Sequence, residues 1–132
     1  MKQSPNDAKH YQTTTLGNGL RALLIHNPES NKSAAALAVN VGHFDDPNHR
    51  QGLAHFLEHM LFLGTKNFPD GSEYQKFINQ HGGSNNAWTA TEHTCFFFDI
   101  GYQHFSAAIA RFGEFFTMPL LSEEFVNKER KN

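Results

Sequence analysis

At 132 residues the chain has the length of one compact domain, with enough material for a hydrophobic core. Hydrophobic residues make up 39% and aromatics 13%, with thirteen Phe, which excludes a disordered chain and predicts a core filled by rings. A net charge of -2 and a pI near 6.5 give no electrostatic case for nucleic acid or an anionic membrane surface, and no apolar run approaches the ~20 residues that span a bilayer.

Residues 1–10 are polar and are expected to form a flexible N-terminus, with the domain proper over residues 11–132. The start lacks the apolar segment of a secretory signal. The single Cys95 leaves no internal disulfide and fits a reducing compartment, so a cytoplasmic location is expected, with a periplasmic one as the alternative if the true start lies elsewhere. From Tyr11 a strand pattern runs toward Leu16. Asn18-Gly19 then precedes an apolar stretch at residues 21–26, which predicts a hairpin whose two turn residues both take positive φ. A polar loop holding Pro28 leads into a third strand that reaches Val41. Ala35, Leu37, Val39 and Val41 share one of its faces, and the small alanines of the other face predict a close neighbour there.

Gly42 to Pro47 breaks that strand and leads into residues 52–64, whose periodicity is helical, with Gly64 placed to end the helix. Ser72 and Gln75 have the form of a capping box, opening a helix with Tyr74, Phe77 and Ile78 on one face that stops at Gly82-Gly83. Residues 84–100 alternate through Asn86, Trp88, Ala90, Glu92, Thr94, Phe96 and Phe98, which fits one long fourth strand. In residues 104–118, Phe105, Ile109, Phe112 and Phe116 mark an amphipathic helix closed by Pro119. Ser122 caps a last helix, with Glu123 and Glu124 favourable in its first turn. Strands followed by helices in this order predict an α+β domain, an antiparallel sheet flanked by helices.

One helix carries the chemistry. His55, Glu58 and His59 lie at i, i+3 and i+4, so all three project from one face. Leu53, Phe56, Leu57, Met60, Leu61 and Leu63 cover most of the remaining circumference, which predicts a buried helix whose ionisable stripe must be satisfied. Zinc would satisfy it: two neutral imidazoles ligate the metal while the carboxylate between them stays free to handle a proton. With nine His in the chain the spacing also arises by chance, and a polar stripe closed by hydrogen bonds is the alternative reading of the motif alone.

The order H-x-x-E-H inverts the usual zinc-protease motif and marks the inverzincins. Its surroundings resemble the N-terminal segment of the catalytic domain in the insulinase/pitrilysin family of zinc metallopeptidases. The resemblance runs from Gly42-His43-Phe44-Asp45-Asp46-Pro47 through residues 52–65 to Gly82-Gly83-Ser84-Asn85-Asn86-Ala87, and continues at Thr91-Glu92-His93-Thr94 and Glu129-Arg130. These blocks keep one order over residues 12–132.

The resemblance implies a mitochondrial processing peptidase-like metallohydrolase fold and a zinc endopeptidase acting on peptides or small proteins. Carried over by position, His55 and His59 are metal ligands and Glu58 is the general base on a zinc-activated water. Asn86 and Ala87 line the substrate on a strand edge, where an extended peptide pairs by strand addition, and Glu129 assists near the site. Asn86 also reads as a turn residue after Gly82-Gly83-Ser84 when the family is set aside.

The resemblance also implies a third zinc ligand, a glutamate near position ~136, outside this sequence. The 132 residues are therefore expected to be an incomplete domain holding two of three protein ligands and to have little activity alone. Their expected partners are peptide substrates and the remainder of the peptidase, including further domains of the same fold. A non-catalytic peptide-binding or assembly module of the same fold is the alternative.

Overall fold

The computed structural model describes residues 1–131, which form two compact units, Met1–Asn31 and the residues from Lys32 onward. The first unit is a β-hairpin. Strand β1 (His10–Thr15) pairs antiparallel with β2 (Arg21–His26), Thr15 opposite Arg21 and His10 opposite His26. Its turn departs from the two-residue form that Asn18-Gly19 suggests. The Leu16 amide donates to the Leu20 carbonyl and the Gly19 amide to the Leu16 carbonyl, leaving a three-residue loop in which Gly19 has a φ of +88° and Asn18 does not have positive φ. A turn closed by one left-handed glycine matches the strand twist as well as Asn-Gly does, and Gly17 supplies the extra residue. Leu23, Leu24 and Ile25 on β2 are exposed.

The second unit is an α+β layer structure. Strands β3 (Lys32–Val39), β4 (Ser84–Thr89) and β5 (Thr94–Gly101) form an antiparallel sheet in the order β3-β5-β4. The helices are α1 (Leu53–Leu61), α2 (Glu73–Gln80), α3 (Phe105–Thr117) and α4 (Glu123–Glu129). β5 is the central strand, and its alternate residues Thr94, Phe96, Phe98 and Ile100 are buried. Phe98 is 1% exposed and meets the rings of Tyr74 on α2 and of Phe105 and Phe112 on α3. Side chains of this size each contribute on the order of 2–3 kcal/mol when fully buried, so this ring cluster anchors the layers to each other. The expectation of an aromatic core therefore holds. Ala34, Ala36 and Ala38, in contrast, are exposed, and no close neighbour covers them among the described residues of this unit.

Three further details differ from the sequence reading. The long fourth strand is two strands, because residues 90–93 turn back and pair Thr89 with Thr94. No Gly, Pro or Asn marks that turn; it is braced from outside, where the His43 and Phe44 amides donate to the Ala90 and Thr91 carbonyls, each at 2.9 Å. The turn also changes the parity of the alternation, so Asn86 and Trp88 are exposed while Thr94, Phe96 and Phe98 face the core. Ser72 does not use its side chain to cap α2; its amide and hydroxyl both donate to Asp70 Oδ1 instead. On α3, Ala108 and Phe115 occupy the buried face and Ile109 is exposed. The Ser122 cap is present, accepting the Phe125 amide.

Candidate metal centre

Helix α1 starts where Asp46 grips it. The Asp46 carboxylate accepts the Gly52 amide at 2.7 Å and the Ala54 amide at 2.9 Å, satisfying N–H groups that the first turn leaves without partners. The Ala54 bond, followed by the Gly52 bond, holds the Asp46 carboxyl below the usual carboxylate range against the opposing effect of desolvation. The helix closes on a tightened turn, with the Phe62 amide donating to His59 and the Leu63 amide to Met60, before Gly64 turns the chain at a φ of +116°. Gly64 therefore ends the helical segment as its position suggests.

The helix is less enclosed than its apolar sequence suggests. Met60 and Leu61 are buried, but Leu53 and Leu57 are nearly half exposed. Leu57, Ala54 and Glu58 help line an apolar hollow of about 520 Å³, closed on other sides by Leu37, Val41 and Phe116.

The three candidate side chains converge as their spacing requires. Nε2 of His55 and Nε2 of His59 lie 3.1 Å apart, and one ligand atom from each of His55, Glu58 and His59 falls within a 4.8 Å group. The outer nitrogens face carboxylates: His55 Nδ1 is 3.6 Å from Glu58 Oε2, and His59 Nδ1 is 3.9 Å from Glu129 Oε2 on α4. A carboxylate beside Nδ1 favours the tautomer with its proton there. With the proton on both Nδ1 atoms, the 3.1 Å contact suits a shared cation; with it on one Nε2, the same contact is a ring-to-ring N–H···N hydrogen bond. Two imidazole nitrogens on one tetrahedral zinc would be about 3.3 Å apart, so the donor set fits that ion.

Glu58 is 8% exposed, and its Oε2 accepts a hydrogen bond from the Thr89 hydroxyl at 2.5 Å. Thr89 is the last residue of β4, an edge strand of this sheet. The Ala90 amide donates to His93, so in the antiparallel alternation Thr89, Ala87 and Asn85 are the residues whose main-chain groups point away from β5. The Ala87 amide is held meanwhile by Asn86 Oδ1 at 2.9 Å. Asn86 is exposed and Ala87 is half-buried against the core; both lie on β4, with the main chain of Ala87 turned outward and that of Asn86 turned toward β5.

Sequence reasoning missed Thr89, Asp46 and the role of Gly42. A Cβ on Gly42 would lie 2.4 Å from the Ala90 carbonyl oxygen, so the close approach that braces the β4–β5 turn requires glycine there. Local pattern carries no sign of Thr89, whose partner is 31 residues away. His81, Glu92 and His93 do not join the group among the described residues. His81 Nδ1 bonds the Phe77 carbonyl, and His93 Nε2 accepts from Trp88.

Comparison with known proteins gives one answer. A family model described as Insulinase (Peptidase family M16) matches residues 21–132. Insulin-degrading enzyme of Homo sapiens is 46% identical over 127 residues, 96% of this chain and 12% of that protein. A-factor-processing enzyme of Saccharomyces cerevisiae is 46% identical over 123 residues, 93% of this chain and 12% of that protein. Among solved structures, pitrilysin superposes with a TM-score of 0.93 at 37% identity, covering 98% of this chain and 14% of the other. A protease from Helicobacter pylori superposes with a TM-score of 0.83 at 27% identity, covering 92% and 29%. The chain thus spans about an eighth of the length of these curated relatives.

Proposed function

The chain belongs to the insulinase family of peptidases, and from that membership we propose that it is the zinc-binding segment of an endopeptidase hydrolysing peptides or small proteins. The observation that carries the reading is the pair of facing Nε2 atoms, 3.1 Å apart, beside a buried carboxylate. His55 and His59 hold the metal. The chemistry a bound zinc supplies is a water acidic enough to ionise near neutral pH and a polarised scissile carbonyl.

Glu58 takes the proton from the attacking water and later returns it to the leaving amine. Burial suits it to that work, since a dry carboxylate keeps its full strength as a hydrogen-bond acceptor. Glu129 faces the outer nitrogen of His59 and keeps that ring in the metal-binding tautomer. The peptide pairs with the outward main-chain groups of β4, at Ala87 and Thr89, displacing Asn86 Oδ1 from the Ala87 amide. Such pairing reads backbone rather than side chains and suits an enzyme with broad sequence tolerance.

Catalytic zinc sites use three protein ligands and a water, and two imidazoles supply two of the three. The third is a carboxylate from outside these residues, so the chain alone binds zinc loosely and hydrolyses peptides little. Its partners are the remaining parts of the peptidase, which in the relatives occupy most of the length. The single Cys95 fits cytoplasmic work.

Zinc titration by competition with a chromophoric chelator tests the reading. One zinc per chain is expected, lost in His55→Ala and in His59→Ala and retained in Glu58→Gln. In the complete peptidase, Glu58→Gln is expected to lower kcat by about 10²- to 10⁴-fold with zinc content unchanged. Zinc binding that survives loss of both imidazoles, or hydrolysis that survives Glu58→Gln, overturns it.

A further inference from the structure

We propose that Thr89 is a positioning residue that fixes Glu58 in register with a peptide paired on β4. The inference rests on the peptidase reading, because it assigns Thr89 a role in the reaction proposed for this site.

Thr89 faces two ways. Its side chain lies on the inner face of the sheet, where the hydroxyl donates to Oε2 of the buried Glu58. Its main-chain N–H and C=O point the other way in the sheet plane, off the free edge of β4, because its pairing with Thr94 is of the non-hydrogen-bonded kind. A peptide adding to that edge bonds the backbone of the residue whose hydroxyl holds the base.

The bond also divides the work of the two carboxylate oxygens. Oε2 carries the Thr89 hydroxyl and lies 3.6 Å from His55 Nδ1. Among the described residues Oε1 accepts no hydrogen bond, so Oε1 is the oxygen left to meet water. A glutamate side chain free to rotate would present either oxygen in many directions. Tied at Oε2, it presents one oxygen in one direction, which is the pre-organisation a general base needs.

Thr89 is itself held in place. The following residue, Ala90, accepts the His43 amide at 2.9 Å, Thr91 accepts the Phe44 amide at 2.9 Å, and the Gly42 backbone packs against both. The end of β4 therefore does not shift alone, and a peptide bonded there shares one rigid frame with Glu58.

The test compares Thr89→Val, which keeps the branched shape and removes the donor, with Thr89→Ser, which keeps the donor. In the metal-free chain, carboxyl ¹³C NMR of Glu58, assigned through Glu58→Gln, is expected to shift in Thr89→Val and to return toward the parent value in Thr89→Ser. In the complete, zinc-loaded peptidase, Thr89→Val is expected to lower kcat on the order of 10²-fold, the cost of a misplaced catalytic group, with KM within about twofold and kcat restored in Thr89→Ser. Thr89→Ala must show the same loss, which guards against a packing defect peculiar to valine. An unmoved Glu58 resonance in Thr89→Val, or a kcat that Thr89→Ser does not restore, overturns the proposal. A protein in which the NMR pattern holds while the parent hydrolyses no peptide supports the Thr89 bond to Glu58 and removes the peptidase reading instead.

Discussion

His59 stands between two partners: its Nε2 faces His55 Nε2 at 3.1 Å, and its Nδ1 faces Glu129 Oε2 at 3.9 Å. Glu129 comes from α4, whose N-terminus is set by the Ser122 cap, so a helix distant in sequence brings a carboxylate toward the ring on α1. Carboxylates that orient a ligating imidazole raise its basicity and fix its tautomer. Replacing Glu129 by Gln is therefore expected to weaken zinc binding by about 10- to 100-fold, read by chelator competition. Glu124→Gln, in the first turn of the same helix, is expected to leave it unchanged. Equal affinity in the parent and Glu129→Gln would show that the carboxylate plays no part in holding the ring.

Gly42 is the position where the least added volume should have the largest effect on the site. A methyl group there meets backbone, the Ala90 oxygen at 2.4 Å and the Thr91 carbonyl carbon at 2.6 Å, and backbone cannot swing aside as a long side chain does. Overpacking of this kind costs roughly 1–3 kcal/mol. Gly42→Ala is expected to lower the unfolding free energy by that amount, seen as a lower denaturation midpoint, and to release the turn after β4. Amide exchange then becomes faster at Ala90, whose N–H bonds His93. An unchanged midpoint would mean that the clamp is looser than its distances.

Glu114 supplies the clearest pH dependence. It is buried on α3 and accepts hydrogen bonds from the Thr65 hydroxyl at 2.7 Å, from Asn67 Nδ2 at 2.6 Å and from the Asn67 amide at 3.2 Å. The Thr65 bond, followed by the Asn67 side-chain and backbone bonds, holds its carboxyl below the usual range, against desolvation. A depressed value in the folded state means that unfolding takes up a proton as the pH falls. The stabilisation is complete above the ordinary Glu range and is lost as the pH falls through the lower folded value. Glu114→Gln should thus melt below the parent at neutral pH, with the gap narrowing below about pH 4. A gap that stays constant from pH 7 to pH 3 would assign the effect to shape rather than charge.

The parts legible in the sequence are those whose signal is local. The i, i+3, i+4 spacing of His55, Glu58 and His59 dictates convergence on one helix face, and any helix there would bring them together. The core face of β5 was legible because its alternation continues through Thr94, Phe96 and Phe98. Illegible were the features decided by residues far apart in the chain. The β4–β5 turn has no glycine or proline of its own and depends on amides from His43 and Phe44. Asp46 caps a helix from eight residues before Ala54, outside any capping-box spacing. Ser72 lost its capping role to Asp70, a nearer competitor for the same hydroxyl.

The apolar hollow beside α1 predicts how the isolated chain behaves. Its walls include Val39, Val41, Leu57 and Leu121, each more than a third exposed, and its one ionisable wall residue is Glu58. A surface of this kind loses free energy by meeting another apolar surface, and a contiguous apolar patch of a few hundred Å² is enough to drive association. The β4 edge adds main-chain groups at Asn85 and Thr89 that have no partner among the described residues, so strand pairing and apolar contact can act together. The chain expressed alone is therefore expected to self-associate at micromolar concentration, with a sedimentation coefficient that rises with loading. Val41→Lys and Leu57→Lys place charge in the hollow without touching the buried ring cluster around Phe98, and each is expected to shift the distribution toward monomer. Their melting temperatures should stay near the parent's, because both positions are nearly half exposed already. A parent chain that stays monodisperse across that range, with a cooperative melt, would show that the hollow is covered in solution by the chain itself.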